Sequence, residues 1–383
     1  MTDNSFADDD AKPEPGIALC LSGGGYRAMV FHLGALIRLN EAGLLSRLAR
    51  VSSVSGGSIT AGYLALRWND LAFDASGRAT RLHLVVDKIR AMARTDVDAG
   101  AILGGLLLPG SIGDRVARSY DDELFEGAML SDLPDDRSGK APRFVINATN
   151  VQSGALWRFS RPYMGDYRVG LFRNPTLKLS LAVAASSAFP PVLSPVTVPI
   201  GDPVDPSTVG DLGPGFQTEA VLSDGGVYDN LGLEAAFKRY QTILVSDGGQ
   251  KIAADETPAH DWMRHSIRIL NIVDNQVRSL RKRQLIDAYE ANDRTGTYWG
   301  IRTAFSDYGA PSDPLGCTGR DPRPLAETPT RLEALSDVVQ EKLINWGYAI
   351  ADTALRTHFG PALQSRYSVS ITAPAGFPYG HGY

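Results

Sequence analysis

An uninterrupted apolar run, Ile17-Ala18-Leu19-Cys20-Leu21, that stops at Ser22-Gly23-Gly24-Gly25 leaves this chain few ways to begin folding. Strands that read as continuous hydrophobic runs are buried on both faces, as in the parallel sheets of α/β proteins. From Arg27 to Ala42 the residues Met29, Val30, Phe31, Leu33, Leu36, Ile37 and Leu39 cover most of a helix circumference, and Gly43 supplies a stop. The pattern then repeats, with a second strand over 48–54, a turn at Ser55-Gly56-Gly57 and a second helix over 58–68. Two β-turn-α units in tandem predict an α/β fold whose sheet is parallel at its centre.

Further along, residues 71–141 are mixed in character and read as an inserted helical cap; an apolar patch at 102–108 within it is either a lid or anchor or an ordinary buried helix. Strand patterns return at 144–148 and 156–159, with a helix at 177–187 ending before Pro190-Pro191. A Gly/Pro/Asp-rich loop at 201–215 precedes apolar Ala220-Val221-Leu222, the turn Asp224-Gly225-Gly226, a helix near 231–240 and a strand at 242–245. Long helical stretches over 261–293 and 331–357 complete the chain. The expected organisation is a tail over 1–15, a catalytic core over 16–250 with its insertion at about 71–141, and a mainly helical C-terminal region over 251–383.

A net charge of −5, from 38 basic and 43 acidic side chains, gives no ground for binding a nucleic acid polymer. The two cysteines, Cys20 and Cys317, make no disulfide framework, and Cys20 reads as a small buried hydrophobe. The acidic, proline-containing start lacks the pattern of a signal peptide, and no apolar run reaches the roughly 18 residues that a membrane span needs. The expectation is a cytoplasmic protein that meets any membrane from outside.

Ser55 lies between a strand and a helix with glycines directly after it, in the sequence Val54-Ser55-Gly56-Gly57. A serine on so sharp a turn exposes its hydroxyl and sits at the positive end of the next helix. Alone, the cluster is equally a plain βα loop. The loop Ser22-Gly23-Gly24-Gly25 reads as an oxyanion hole or, since Gly23 to Ala28 nearly fits a dinucleotide fingerprint, as a phosphate-binding loop. The missing ribose-binding acid after the next strand argues for the former. A serine needs a base within reach. His32, His83, His260, His265, His358 and His381 all lie outside short glycine-flanked loops, whereas Asp224 closes an apolar strand ahead of Gly225 and Gly226. Asp247, in Asp247-Gly248-Gly249, is the rival.

Taken together, these motifs resemble patatin-like phospholipases. The resemblance covers roughly residues 16–250, including Val183 to Pro191, and implies a three-layer α/β fold with a central, mostly parallel sheet flanked by helices. It maps the oxyanion hole to Gly23, Gly24 and Gly25 with Arg27 as the basic position, the nucleophile to Ser55 with Gly57 supporting its turn, and the base to Asp224, since Gly225-Gly226-Val227-Tyr228-Asp229-Asn230 matches the family after its aspartate. Ser53 and Ala28 stand where the family pattern has glycine. The implied activity is hydrolysis of lipid or phospholipid esters through an acyl-enzyme, with no cofactor, no metal and peripheral membrane contact. A non-catalytic lipid- or nucleotide-binding protein on the same fold, and a thioesterase or peptidase using the same dyad, are the alternatives. The run Arg278, Arg281, Lys282, Arg283 reads as a solvated helix face or a contact for an anionic membrane. Oligomeric state has no signature.

Overall fold

The computed structural model describes residues 12–97, 111–201, 203–250, 252–380 and 382–383. The patch at 102–108, most of the expected tail and His381 lie outside them. The first strand, β1 (Glu14–Leu21), begins inside the segment expected to be tail. It is followed by α1 (Gly25–Glu41), β2 (Leu48–Val54), α2 (Gly56–Leu66), α3 (His83–Met92), α4 (Ile112–Tyr120), β3 (Arg143–Asn150), β4 (Ala155–Phe159), β5 (Tyr163–Asp166), β6 (Gly170–Arg173) and α5 (Leu179–Ser186). Then come β7 (Val196–Pro199), β8 (Glu219–Asp224), two single-turn helices α6 (Gly226–Asp229) and α7 (Glu234–Phe237), β9 (Tyr240–Asp247), α8 (Trp262–Glu290), β10 (Thr295–Gly300) and α9 (Asp337–Ala354). The helix expected near 231–240 is broken into short pieces, with Gly232 at φ 66° between them.

β10, β9, β1, β2 and β3 lie side by side and all run parallel, which is the mostly parallel central sheet the tandem units imply. Beyond β3 the sheet continues as an antiparallel meander through β4, β5 and β6. The alternation of strand side chains explains the apolar run of β1. Ile17, Leu19 and Leu21 enter one core with α1, α2 and α9, while Ala18 and Cys20 enter a second with Leu231, Leu233, Ile243 and Leu285. These two cores make the three layers. Burial pushes the Cys20 thiol well above its usual range, so it behaves as the small hydrophobe expected.

The C-terminal region, expected to be mainly helical, also supplies β10, which extends the central sheet through its parallel pairing with β9. Among the described residues of 71–141, α3 and α4 are helical and pack into the main core, with Val85, Ile89 and Val116 buried there.

One detail of register places the site. β3 is longer than β2, so β2 pairs with its first part, up to Val54 opposite Asn147, and β8 pairs antiparallel with its last part, from Asn150 down to Asp224 opposite Ala148. Along this edge of β3, β2 and β8 meet C-terminus to C-terminus. The residue after Val54 and the last residue of β8 therefore arrive at the same place.

Candidate active site

Ser55 has φ 51° and ψ −122°, a conformation that side-chain-bearing residues rarely adopt. Such strain persists only where the surroundings over-determine it. Here the Ser55 N–H donates to Ser186 Oγ at 3.0 Å, and the Ser55 carbonyl accepts from the N–H groups of Ser58 and Ile59 at 2.8 and 3.2 Å. Ser186 Oγ in turn donates to the Asn147 carbonyl at 2.6 Å, and Ser58 Oγ lies 3.0 Å from Ser53 Oγ and 2.9 Å from Ser186 Oγ. Ser53, the departure from the glycine pattern, thus adds a buried brace. A Cβ on Gly56 would stand 2.1 Å from the Gly25 carbonyl oxygen, and one on Gly57 would stand 2.4 Å from that of Leu21. Their bare backbones let the serine turn press against the glycine loop.

In that loop Gly24 and Gly25 have φ 144° and 59°, and both border the cavity that Ser55 faces. Gly23 is beside them, but its N–H already donates to the Asn230 carbonyl at 3.1 Å, so this member of the expected oxyanion trio holds the loop shut. Arg27 is fully buried behind the loop. Its Nε donates to the Gly248 carbonyl at 2.9 Å and its Nη1 to the Thr328 carbonyl at 2.5 Å, which makes it a positioning residue outside the cavity wall. His32 is also behind the loop, between Ser246 Oγ at 2.8 Å and the Ser22 carbonyl at 2.9 Å. Burial lowers its pKa to about 4, so the ring is neutral; its Nε2–H donates to Ser22 and its Nδ1 accepts from Ser246.

Asp224 is buried and borders the same cavity as Ser55, whose side chain lies close enough to favour its ionised form. Its Oδ1 accepts the Gly226 N–H at 2.7 Å, its own N–H donates to the Ala188 carbonyl at 2.9 Å, and Gly225 N–H donates to the Ser186 carbonyl at 3.2 Å. Gly225 and Gly226 therefore shape and cap this turn. Burial outweighs those hydrogen bonds and, with the nearby charge of Asp274, raises the Asp224 pKa to about 7. Asp247 has no such freedom. Its oxygens accept from the Tyr298 hydroxyl at 2.7 Å and the Gly249 N–H at 2.8 Å. Burial opposes ionisation there, yet Arg278 and these donors keep it below the usual carboxylate range.

The cavity measures about 760 Å³, towards the large end of small-molecule sites. One stretch of the lining is Phe189, Pro190, Pro191, Val192 and Leu193, and α8 contributes Ile267, Arg268, Asn271, Asp274 and Asn275. The segment 327–332 forms a strap, fastened where Tyr26 N–H donates to the Arg331 carbonyl at 3.0 Å. No described residue of 71–141 borders the cavity, so α8 and the strap occupy the place expected of a cap. Sequence reasoning missed Ser186, Asn230 and the polar face of α8. Of the basic run, Arg281 pairs with Glu234 at 2.6 Å, Lys282 sits over the Tyr298 ring and Arg278 faces Asp247 across 3.9 Å; three of the four point inward. Among the described residues there is no cluster of three or more metal-ligating side chains and no helix long and apolar enough to cross a membrane.

Fold and site together define a three-layer α/β protein with a serine, a buried aspartate and a glycine loop at the wall of one cavity. The model of the patatin-like phospholipase family matches residues 19–237, and the chain belongs to that family. Among solved structures, human GIVD cytosolic phospholipase A2 is similar with a TM-score of 0.52 at 15% identity, covering 92% of this chain and 60% of its own. The same human protein in complex with methyl gamma-linolenyl fluorophosphonate matches with a TM-score of 0.51 at 16% identity, over 92% of this chain and 59% of that one. VipD from Legionella pneumophila aligns over 91% of this chain and 68% of its own at 14% identity, with a TM-score of 0.36. The chain thus spans about three-fifths of the human protein's length. No curated protein sequence matches it significantly.

Proposed function

We propose that the protein is a lipid acyl hydrolase that cleaves carboxylic esters through Ser55 and Asp224. The observation that carries this reading is the meeting, at one cavity wall, of a serine on a strained strand-to-helix turn and a buried carboxylate poised near neutrality. A base works best with a pKa near the operating pH, because it is then both ionised and basic enough to take the proton. Asp224 accepts the Ser55 proton as Oγ attacks the ester carbonyl. The oxyanion forms beside Gly24 and Gly25, whose N–H groups take part in no hydrogen bond among the described residues, and the N-termini of α1 and α2 add positive potential. Each oxyanion donor of this kind contributes about 3 kcal/mol to the transition state. The leaving alcohol takes the proton from Asp224, and water, activated by Asp224 again, releases the acyl group. A cavity lined by one apolar and one polar stretch suits an amphiphile, its acyl chain along Phe189 to Leu193 and its head toward α8.

The human phospholipase structure bound to a fluorophosphonate suggests the probe. A fluorophosphonate should label Ser55, and Ser55→Ala should abolish both labelling and hydrolysis of a short-chain aryl ester while leaving the melting temperature unchanged. Asp224→Asn should lower the rate by about 1,000-fold or more, since the amide keeps the shape and loses the base. Asp247→Asn should weaken folding far more than turnover at temperatures where it remains folded, because it removes one of the two carboxylates, with Asp274, that offset the buried charge of Arg278. Full activity in Ser55→Ala, or labelling mapped to another residue, would overturn the proposal.

A further inference from the structure

The helix α8 is amphipathic in the inverse of the usual sense. A helix on the outside of a globule normally turns its apolar stripe inward. Here Asn271, Asn275, Arg278 and Lys282, spaced at intervals of four, three and four residues, face the cavity and the sheet end. Trp262, Ile269, Val273 and Leu280, spaced at seven, four and seven, share the opposite face and are all exposed, Trp262 at 77%. Met263 and Leu270 widen the stripe. Along 18 residues such a stripe runs for about 27 Å. Exposed apolar patches of this extent mark a surface that something else covers.

Two features identify the occupant. The stripe is the back of the same helix that walls the cavity, and Phe189 and Val192, which also line the cavity, are exposed as well, so exposed apolar surface belongs to two separate segments of its lining. The stripe face carries no Lys, Arg, Asp or Glu between Trp262 and Leu280, since Arg264, Arg268 and Arg278 lie on the other half of the helix and Asp274 is turned into the cavity, so the band offers apolar surface alone, as the interior of a lipid layer requires. We propose that the outward face of α8 is the surface by which the protein seats on a lipid aggregate, bringing the cavity mouth against the layer from which substrate is drawn. The choice of a lipid layer over a second copy of the chain rests on the hydrolase reading above; the exposed stripe does not.

Tryptophan fluorescence tests this directly. Trp262 is exposed while Trp68, Trp157, Trp299 and Trp346 are at most 3% exposed, so a change in emission on binding reports α8. Full-length protein carrying Ser55→Ala, which turns over no lipid, is titrated with vesicles of phosphatidylcholine containing a minor share of phosphatidylglycerol. The expected result is a saturable blue shift that is absent in a Trp262→Phe variant. Ile269→Asp combined with Val273→Asp should weaken vesicle affinity about tenfold or more, since it places two charges in the apolar contact. In protein that retains Ser55, the same pair should leave kcat/KM for a soluble aryl ester within about twofold. Absence of a blue shift, unchanged affinity in the double variant, or conversion of a dimer to a monomer by that variant without loss of vesicle binding would overturn the proposal. A wild type that binds vesicles through α8 yet hydrolyses no ester would instead remove the hydrolase reading and leave the surface standing.

Discussion

At the scale of single residues, two carboxyls in one cavity set the pH behaviour. Asp224 has a pKa raised to about 7, and Asp274, on the α8 wall, one raised to about 6, in both cases chiefly by burial. Asp274 is then ionised first, and its charge is one of the causes that hold Asp224 high. Activity toward a soluble ester should rise with pH along an ionisation near 7, as the base loses its proton. Asp274→Asn should move that midpoint down by about half a unit to one unit, as measured from the pH dependence of kcat/KM. Stability carries the same signature with the opposite slope. A carboxyl whose pKa rises from 3.8 to about 7 on folding contributes stability that is fully present below 3.8 and lost as pH rises through about 7. Asp224→Asn should accordingly melt higher than the wild type at pH 8, with the gap closing toward acid, in thermal scans across that range.

At the scale of elements, the legible parts were those where pattern and burial agree. β1, β2 and β9 are buried on both faces and end in glycine turns, so an apolar run followed by Gly or Ser reported them faithfully. β5, β6 and β7 are four residues each and contain glycine, arginine or proline, too short for a periodicity to emerge. β10, Thr295-Gly296-Thr297-Tyr298-Trp299-Gly300, is masked by its glycines, and nothing local announces that it pairs with β9. Of the candidate site, Ser55 and Asp224 were legible because each sits on a glycine turn at a strand end, and Ser186 was not, since its place depends on a contact 131 residues away in sequence with Ser55. The exposed stripe of α8 escaped for a related reason, since periodicity locates an apolar face without saying which way it turns. The close approach between the serine turn and the glycine loop supplies a test at this scale. Gly56→Ala would place its methyl group 2.1 Å from the Gly25 carbonyl oxygen, which the backbone can relieve only by moving apart. The expected outcome is a loss of about 1–3 kcal/mol in stability. A displacement near 1 Å at the oxyanion donors should also cost about 100-fold in kcat, measured on protein shown to be folded.

At the scale of the whole molecule, the C-terminal region is part of the same folding unit as the family core. α9 lies directly on α1, where a Cβ on Gly34 would stand 2.0 Å from the Ile344 carbonyl oxygen and one on Gly347 would stand 2.0 Å from that of Phe31. Trp346, Ile350 and Leu355 close the same core that Leu33 and Leu36 enter. A chain ending at residue 250 should therefore fail to fold, appearing insoluble or with the circular dichroism of a partly ordered state, while the intact protein should unfold in a single calorimetric transition. The meeting of β2 and β8 along one edge of β3 has a different consequence. Asn147 and Ala148 act as adjacent marks on a ruler, against which Ser55 and Asp224 are measured separately. The chain that runs between them can lengthen, shorten or exchange its decorations without altering their separation, so long as that one strand stays straight; descendants of this architecture are free to remodel whatever surrounds the pair while inheriting its spacing unchanged.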